Sequence, residues 1–311
     1  SSHWTLLVQA VDTLIPEIQD LLNLFDFIPQ WRADDIMISY ATLHGSVGPH
    51  YDNYDVFLLQ ALGQRKWHLT TQHCNENNYL DDVDIRIMKT FNVEQEYILN
   101  PGDILYLPPH VGHHGVSASD DCMTYSFGYR SYKGLEVLNS FCEHLSEEDI
   151  AAALYKDPAW SNISKTSELP DDAWRQAGKL LSSIIADENN LKNWFGKFAT
   201  SLDYVAESQL PLSLEEVNEA DFIAACNDKK KLRRNPFCKI AYRISTDTDQ
   251  VKLYINGDLW QIKNVCYDLI LLISNQRIIP CKQLMGYLDR AENIKFLFGL
   301  WQRQWLSFDE D

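Results

Sequence analysis

The hydrophobic pattern of the chain changes its period twice. Apolar residues recur at helical spacing between Leu6 and Phe25, which predicts an amphipathic helix at the start. After Trp31 the pattern shortens to β-rich runs separated by Gly, Pro, Asn and Asp, at 36–43, 55–62, 65–71, 96–100, 103–108 and 123–130. Many short strands at this spacing indicate an antiparallel barrel or jelly roll rather than alternating βαβ units.

Helical periodicity returns after residue 133. The stretches 134–155 and 170–202 predict helices, and a polar break near 203–212 follows them. The remainder is mixed, with helices expected near 214–226, 264–275 and 281–289, a last helix ending near Trp301, and strands at 239–245 and 251–257. We therefore predict an α+β protein with a barrel-like domain at 1–133, a helical domain at 134–210 and a winged-helix-like domain at 211–311.

Charge divides the chain in the same way. The 311 residues carry a net charge of −17, of which −10 belongs to residues 1–133, −7 to 134–210 and none to 211–311. An acidic surface disfavours nucleic acid as a direct partner, and no run of 18 apolar residues predicts a membrane span. Seven scattered cysteines without a CxxC pair favour a reduced, cytoplasmic compartment. Because no initiator Met is present, we expect the true N-terminus to be missing.

Histidine is confined to one part of the sequence. All nine histidines fall within the first 144 residues, so imidazole chemistry belongs to the N-terminal half. His50 and Asp52 are two residues apart, and in a strand such side chains point to the same face. A third ligand could come from His110, His113 or His114. Two histidines with one carboxylate form the facial triad of non-haem iron(II) oxygenases.

A basic run at 228–236 is the main positive feature of the C-terminal region. It has five positive residues in six, which could hold RNA beside a winged helix. The surrounding region has no net charge and the run ends at Pro236, so a solvated loop is the favoured interpretation.

Two stretches of the N-terminal half carry a family resemblance. MISYATLHGSVGPHYDNYDVFLLQALGQRKW at 37–67 and PGDILYLPPHVGHHGVSASDDCMTYSFGYR at 101–130 resemble JmjC/cupin ribosomal oxygenases of the bacterial arginine-hydroxylase type. This resemblance implies a double-stranded β-helix catalytic domain, a helical dimerisation domain and a C-terminal winged helix. It also implies a cytoplasmic homodimer that uses Fe(II), 2-oxoglutarate and O₂.

The same resemblance assigns roles to individual residues. It implies that His50, Asp52 and His113 bind the metal, and that Arg65 and Ser39 hold the distal carboxylate of 2-oxoglutarate. An Arg guanidinium suits this carboxylate because it can donate two parallel hydrogen bonds. His114 is the competitor for the third ligand position. Since adjacent strand residues face opposite sides, only one of His113 and His114 can point at the metal.

The activity that the resemblance implies is hydroxylation of an arginine Cβ in a large-subunit ribosomal protein. The acidic N-terminal half fits such a basic partner. Three alternatives stay open within the superfamily: histidine hydroxylation, demethylation of methyl-lysine, and cupin chemistry without 2-oxoglutarate. A fourth, from a different class, is a dimeric cupin adaptor that has lost turnover.

Overall fold

The alternating runs of the N-terminal half form strands in the computed structural model, which describes residues 2–81, 83, 85–147, 153–157, 167, 169–244, 251–260 and 262–308. The chain divides into two units, one of residues 1–131 with 233–237 and the other of residues 132–232 with 238–311. Each unit has its own buried core.

The first unit is a β-sandwich. Its strands are β1 (Thr5–Val8), β2 (Ala33–Ala41), β3 (His50–Tyr51), β4 (Asp55–Leu62), β5 (Arg65–Thr70), β6 (Gln95–Leu99), β7 (Ile104–Leu107), β8 (Gly112–Ser117) and β9 (Cys122–Tyr129). One sheet has the order β1-β2-β9-β4-β7 and the other β3-β8-β5-β6, with antiparallel pairing throughout. This is the cupin architecture that the sequence predicts.

Two apolar clusters hold the sandwich together. The first joins the sheets through strands β4 to β7, with Val56, Leu58, Trp67, Leu69, Leu99 and Leu107 as its buried members. The second lies on the larger sheet, where Leu22 and Phe25 pack against Ile36, Phe127 and Tyr129. Alternate residues of β4 and β5 are buried, as a period of two requires.

The predicted N-terminal helix is wrong at its start, and the helical turns that follow are not continuous. Thr5–Val8 is a strand paired with β2, and helical turns begin only at Val11. Ala10 has a φ of 52°, in the left-handed region, which ends the strand. Short 3₁₀ turns at Val11–Thr13, Leu21–Phe25 and Gln30–Arg32 flank a five-residue helix, α1 (Pro16–Asp20). A continuous apolar run fits a strand as well as a helix, so its periodicity did not decide between them.

The second unit begins with helices. These are α2 (Gly134–Glu147), α3 (Asp171–Ile185), α4 (Glu188–Thr200) and α5 (Tyr204–Ser208). The predicted stretch 170–202 is divided at Asp187, whose side chain accepts hydrogen bonds from the amides of Asn189 and Asn190 and so begins a new helix. Part of the predicted helix at 134–155 lies outside the described residues.

The rest of the described chain is the winged helix. It contains α6 (Glu219–Asp228), β10 (Lys231–Arg234), β11 (Ile240–Ile244), β12 (Val251–Ile255), β13 (Asp258–Trp260), α7 (Tyr267–Asn275), β14 (Ile278–Pro280), α8 (Cys281–Leu284), α9 (Ala291–Gln302) and β15 (Leu306–Phe308). Two three-stranded sheets form, ordered β14-β10-β15 and β11-β12-β13. The expected strands at 239–245 and 251–257 are confirmed as β11 and β12, and residues 245–250 between them lie outside the described part of the chain.

The solvated loop expected at 228–236 is also wrong. Residues Lys231–Arg234 form β10, the central strand of its sheet, and Leu232 is fully buried there. Leu232 and Arg234 share the inward face of this strand, and Arg234, only 5% exposed, donates a hydrogen bond from its guanidinium to Oε1 of Gln30. In the sequence, the run of charged residues obscures this alternation of exposed and buried positions.

Asp12 supplies a pH dependence of stability. Its buried carboxylate accepts the amide hydrogen of Ile36, and burial, with a smaller contribution from Asp35, raises its pKa from 3.8 to about 6. The folded state therefore binds more protons than the unfolded state between these values, and stability falls as the pH rises through that window.

We expect Asp12→Asn to raise the free energy of unfolding at pH 8 by roughly 1–2 kcal/mol, because the amide oxygen can still accept the Ile36 hydrogen without a buried charge. The gain should shrink at pH 5, where the wild-type carboxyl is largely protonated. Urea denaturation at both pH values measures this, with Asp120→Asn on the exposed surface as the control. A gain that is equal at both pH values would contradict the assignment.

Candidate metal centre and its anion pocket

The short pairing of β3 with β8 brings two histidines together. His50 lies opposite His113 in the antiparallel register, and their ring centroids are 4.2 Å apart. Asp52 follows β3 directly, and its Oδ2 lies 3.6 Å from Nε2 of His113. Ligand atoms from His50, Asp52 and His113 all lie within 4.8 Å of one another, so the three could hold one metal ion.

Backbone carbonyls fix both imidazole rings. Nδ1 of His50 lies 3.0 Å from the Gly48 carbonyl oxygen, and Nδ1 of His113 lies 3.1 Å from that of Val111. A carbonyl can only accept, so each Nδ1 must carry the proton and each Nε2 keeps its lone pair. This second contact is what orients a histidine ligand and selects its tautomer.

Burial keeps the site ready for a cation. Burial, with a smaller contribution from His50, lowers the pKa of His113 to about 3, so the ring is neutral at physiological pH. Burial raises the pKa of the Asp52 carboxyl, while His50, the Tyr54 hydroxyl and Arg86 act in the opposite direction. A neutral imidazole and a carboxylate that lacks full hydration both favour a bound cation.

His114 and His110 do not join this cluster. His114 lies on the other face of β8, with its ring 5.8 Å from that of His68 and edge-on to Phe91. His110 lies in the turn before β8, has a φ of 65°, and donates its amide hydrogen to the Asp52 carbonyl. Of the three histidines that the sequence left open, only His113 lies in the cluster with His50 and Asp52.

Arg65 is a buried cation without a counter-charge. Its side chain on β5 is only 3% exposed, and its Nη2 has no hydrogen-bond partner among the described residues. The guanidinium lies over the ring of Trp67, whose Nε1 is likewise buried and unpaired. Burying a charge this way is costly unless an anion compensates it. Nη2 of Arg65 therefore lacks an acceptor, a gap that a carboxylate ligand would fill.

A chain of polar side chains connects Arg65 to Ser39 across the sandwich. Nε of Arg65 and Nε2 of Gln60 each lie 3.4 Å from Sγ of Cys122. Oε1 of Gln60 accepts from the Thr124 hydroxyl at 2.9 Å, and the Ser39 hydroxyl donates to the Thr124 carbonyl at 3.4 Å. Nε of Arg65 thus donates to Cys122, whereas Nη2 has no acceptor and is available to a ligand.

Gln60, Cys122 and Thr124 were not among the site residues predicted from the sequence. All three are almost fully buried, and Gln60 follows Val56 and Leu58 at the inward positions of β4. A polar residue at an inward strand position is the signal that could have found them.

The cluster opens onto a cavity of about 770 Å³ that is lined in part by His50, Asp52, Asn53, Tyr54 and Arg86. The Tyr54 hydroxyl hydrogen-bonds to Asp52, so one side of the cavity is tied to the candidate ligand. A substrate side chain could enter here and reach the metal position.

Comparisons with known proteins agree with this architecture. A JmjC domain model matches residues 20–137, and a ROXA-like winged helix model matches residues 183–307. A probable ribosomal oxygenase of Haemophilus influenzae is 34% identical over 268 residues, which cover 82% of this chain and 63% of the relative. The ribosomal protein uL16 3-hydroxylase of Escherichia coli is 31% identical over 227 residues, covering 70% and 59% respectively.

The chain belongs to the JmjC-domain ribosomal oxygenases. An X-ray structure of E. coli YcfD matches this JmjC protein with a TM-score of 0.82 at 25% identity, over 99% of this chain and 80% of that one. YcfD in complex with cobalt and 2-oxoglutarate matches with a TM-score of 0.82 at 23% identity, over 98% and 78%. The chain spans about six-tenths of the length of the two curated relatives, 63% and 59%.

The JmjC match contains all five residues that the family resemblance assigns: Ser39, His50, Asp52, Arg65 and His113. The winged-helix match begins at residue 183, inside the segment 134–210 that the sequence assigns to dimerisation. Those domain boundaries stay predictions. No helix within the described part of this JmjC protein has the length and apolar character to cross a membrane.

Gly115 lies on β8 beside the candidate ligands, at a position with no room for a larger side chain. A Cβ built there would lie 2.7 Å from two ring carbons of Trp67, the residue under Arg65. We expect Gly115→Ala to lower the free energy of unfolding by roughly 1–3 kcal/mol, since the ring or β8 must move. Gly134→Ala is the control, because a Cβ there meets nothing within 4 Å. Equal unfolding midpoints for the two variants would contradict the close approach.

Proposed function

We propose that this chain is the catalytic part of an Fe(II)- and 2-oxoglutarate-dependent hydroxylase that acts on a ribosomal protein. One observation carries the proposal: His50, Asp52 and His113 converge in the same sandwich as Arg65, a buried cation with an unpaired donor. Two histidines with a carboxylate leave coordination positions open, whereas a structural zinc site is closed by four protein ligands. The similarity to a curated uL16 3-hydroxylase supports the same activity.

The residues present fit the metal and the co-substrate. His50 and His113 would bind iron through Nε2, since each Nδ1 faces a carbonyl, and Asp52 would supply a carboxylate oxygen. When bound, iron with 2-oxoglutarate and O₂ supplies the oxidising power that hydroxylates a C–H bond, and 2-oxoglutarate is converted to succinate and CO₂.

The protein's own part is binding and orientation. The unpaired Nη2 of Arg65 would donate to the distal carboxylate of 2-oxoglutarate, and the Ser39 hydroxyl would turn toward it. Cys122 and Gln60 hold Arg65 in place for this contact. The Gly48 and Val111 carbonyls keep both imidazoles aimed at the metal.

The substrate we propose is an arginine in a large-subunit ribosomal protein, hydroxylated at Cβ. The net charge of −10 in residues 1–133 would attract a basic protein. The relative that is 31% identical acts on uL16 by its name, whereas the bifunctional lysine demethylase and histidyl-hydroxylase of Dictyostelium is similar over only 26% of this chain. A cytoplasmic location follows from this substrate, and the seven free cysteines are compatible with it.

The activity is tested with the purified chain, Fe(II), 2-oxoglutarate, O₂ and recombinant uL16. We expect one added oxygen on a single arginine by tandem mass spectrometry, with an equal amount of succinate. His50→Ala should reduce the hydroxylated product and succinate by more than about a hundredfold. Loss of a residue that only hydrogen-bonds to a metal ligand typically costs about 10–100-fold, so loss of a ligand itself should cost more. His114→Ala, on the opposite face of β8, is the matched control and should keep turnover.

Three further results separate the alternatives. Arg65→Met should raise the KM for 2-oxoglutarate by at least about tenfold through loss of a charge-assisted hydrogen bond, with Co²⁺ binding unchanged. Turnover that does not depend on 2-oxoglutarate would indicate a different cupin chemistry. Binding of Co²⁺ and 2-oxoglutarate without succinate production would indicate an adaptor, and the modified residue distinguishes arginine from histidine and lysine.

We also propose that α3 is part of a homodimer interface. None of its 15 residues is buried, and Trp174, Leu181 and Ile185 share one face of the helix while remaining 63%, 62% and 48% exposed. An apolar face of this kind marks an interaction surface.

Sedimentation velocity at micromolar concentration should therefore give a dimer. Leu181→Glu should shift it to monomer with an unchanged far-ultraviolet circular dichroism spectrum, because the charge would be buried in the interface. Ser183→Glu, which adds the same charge on the opposite face of α3, should leave the dimer intact. A wild-type monomer at these concentrations would refute the interface.

A further inference from the structure

A groove in the second unit is lined by lysines and by no carboxylate among the described residues. It has a volume of about 530 Å³ and lies between the end of α6 and the start of α8. Lys229, Lys230, Lys231 and Lys282 contribute the charge, and Pro280 and Met285 contribute apolar surface. In a chain of net charge −17, four clustered lysines are a strong local exception.

The fold, not the sequence, assembles this set of charges. Lys282 is about fifty positions from the other three in the chain, and it is brought to them where the Cys281 amide donates to the Lys230 carbonyl at 2.9 Å. The neutral net charge of residues 211–311 conceals the cluster, because none of the acidic residues that the structure describes in that segment lines the groove.

Internal ion pairs do not account for three of the four lysines. Lys66, Lys89 and Lys192 each form an ion pair with a glutamate or aspartate. Among the described residues, the side chains of Lys229, Lys231 and Lys282 have no such partner. Like charges held close together repel one another, and an external anion would relieve that repulsion.

We propose that this lysine groove binds the phosphate backbone of single-stranded RNA. Lysine ammonium groups act as point charges toward phosphate, and the groove offers no arginine fork for planar carboxylates. The exposed Met285 and the half-buried Pro280 give sugars and bases an apolar surface beside the charges. Binding without sequence preference is expected, because the lysines would contact phosphates and not base edges. This site is separate from the hydroxylase function and does not depend on it.

Salt dependence gives the first test. A fluorescein-labelled 12-nucleotide oligouridylate is titrated with the full chain at several KCl concentrations, and fluorescence anisotropy is recorded. Three or four phosphate contacts predict a slope of about −2 to −3 for log Kobs against log salt. Absence of binding at 50 mM KCl, or a slope near zero, would overturn the proposal.

Substitutions locate the site. The triple variant Lys229→Gln, Lys231→Gln, Lys282→Gln should weaken binding at least about tenfold at low salt and reduce the slope by about 2. The matched control Lys179→Gln, Lys263→Gln, Lys295→Gln removes the same charge from exposed positions elsewhere in the second unit and should bind RNA as the wild type does. If both triple variants lose binding equally, the effect is one of net charge and the groove is not the site.

Two additional measurements keep the result interpretable. If the triple variant does not fold, Lys231→Gln and Lys282→Gln are tested singly, and each should reduce the slope by about 0.7. A labelled polyglutamate peptide of equal length serves as the competing partner class. Binding of that peptide in the groove without binding of RNA would refute the RNA assignment.

Discussion

The pairing of β3 with β8 is the constraint on which the candidate site depends. It joins only two residue pairs, yet it places His50 opposite His113. Asp52, the first residue after β3, then lies beside both histidines. A shift of one residue in register would turn each side chain to the opposite face and bring His114 inward in place of His113. The longer pairing of β8 with β5, from Arg65 through Thr70, fixes that register more firmly than β3 could alone.

Charge compensation is the second organising feature of the sandwich. The interior contains a guanidinium, an amide, a thiol and two hydroxyls between apolar layers, and their hydrogen bonds form one continuous chain except at Nη2 of Arg65. In an apolar core such a gap is unfavourable, because a buried donor without an acceptor loses its hydration without replacement. The gap has the chemistry of a carboxylate-binding site, and it lies in the same unit as the metal-ligand cluster.

Much of the fold could be predicted from the sequence, because period-two alternation in β4 and β5 reflects which side chains the sandwich buries. The N-terminal element could not, since the apolar run at Thr5–Val8 fits either conformation and its pairing with β2 decides the outcome. The strand at Lys231–Arg234 was hidden for a related reason, because three of its four residues are charged and Leu232 is its only apolar residue. His50 and Asp52 could be paired by spacing alone, whereas their proximity to His113 requires the strand register.

The two carbonyls that face His50 and His113 belong to the main chain, at Gly48 and Val111. A side-chain acceptor in the same role could be lost through a single substitution, but a backbone carbonyl is present whatever residue occupies the position. At Val111 the residue type can therefore change while the lone pair of His113 keeps its direction. Gly48 differs, because its φ of 87° is one that other residues rarely adopt, so the path of the chain that aims His50 depends on a glycine there.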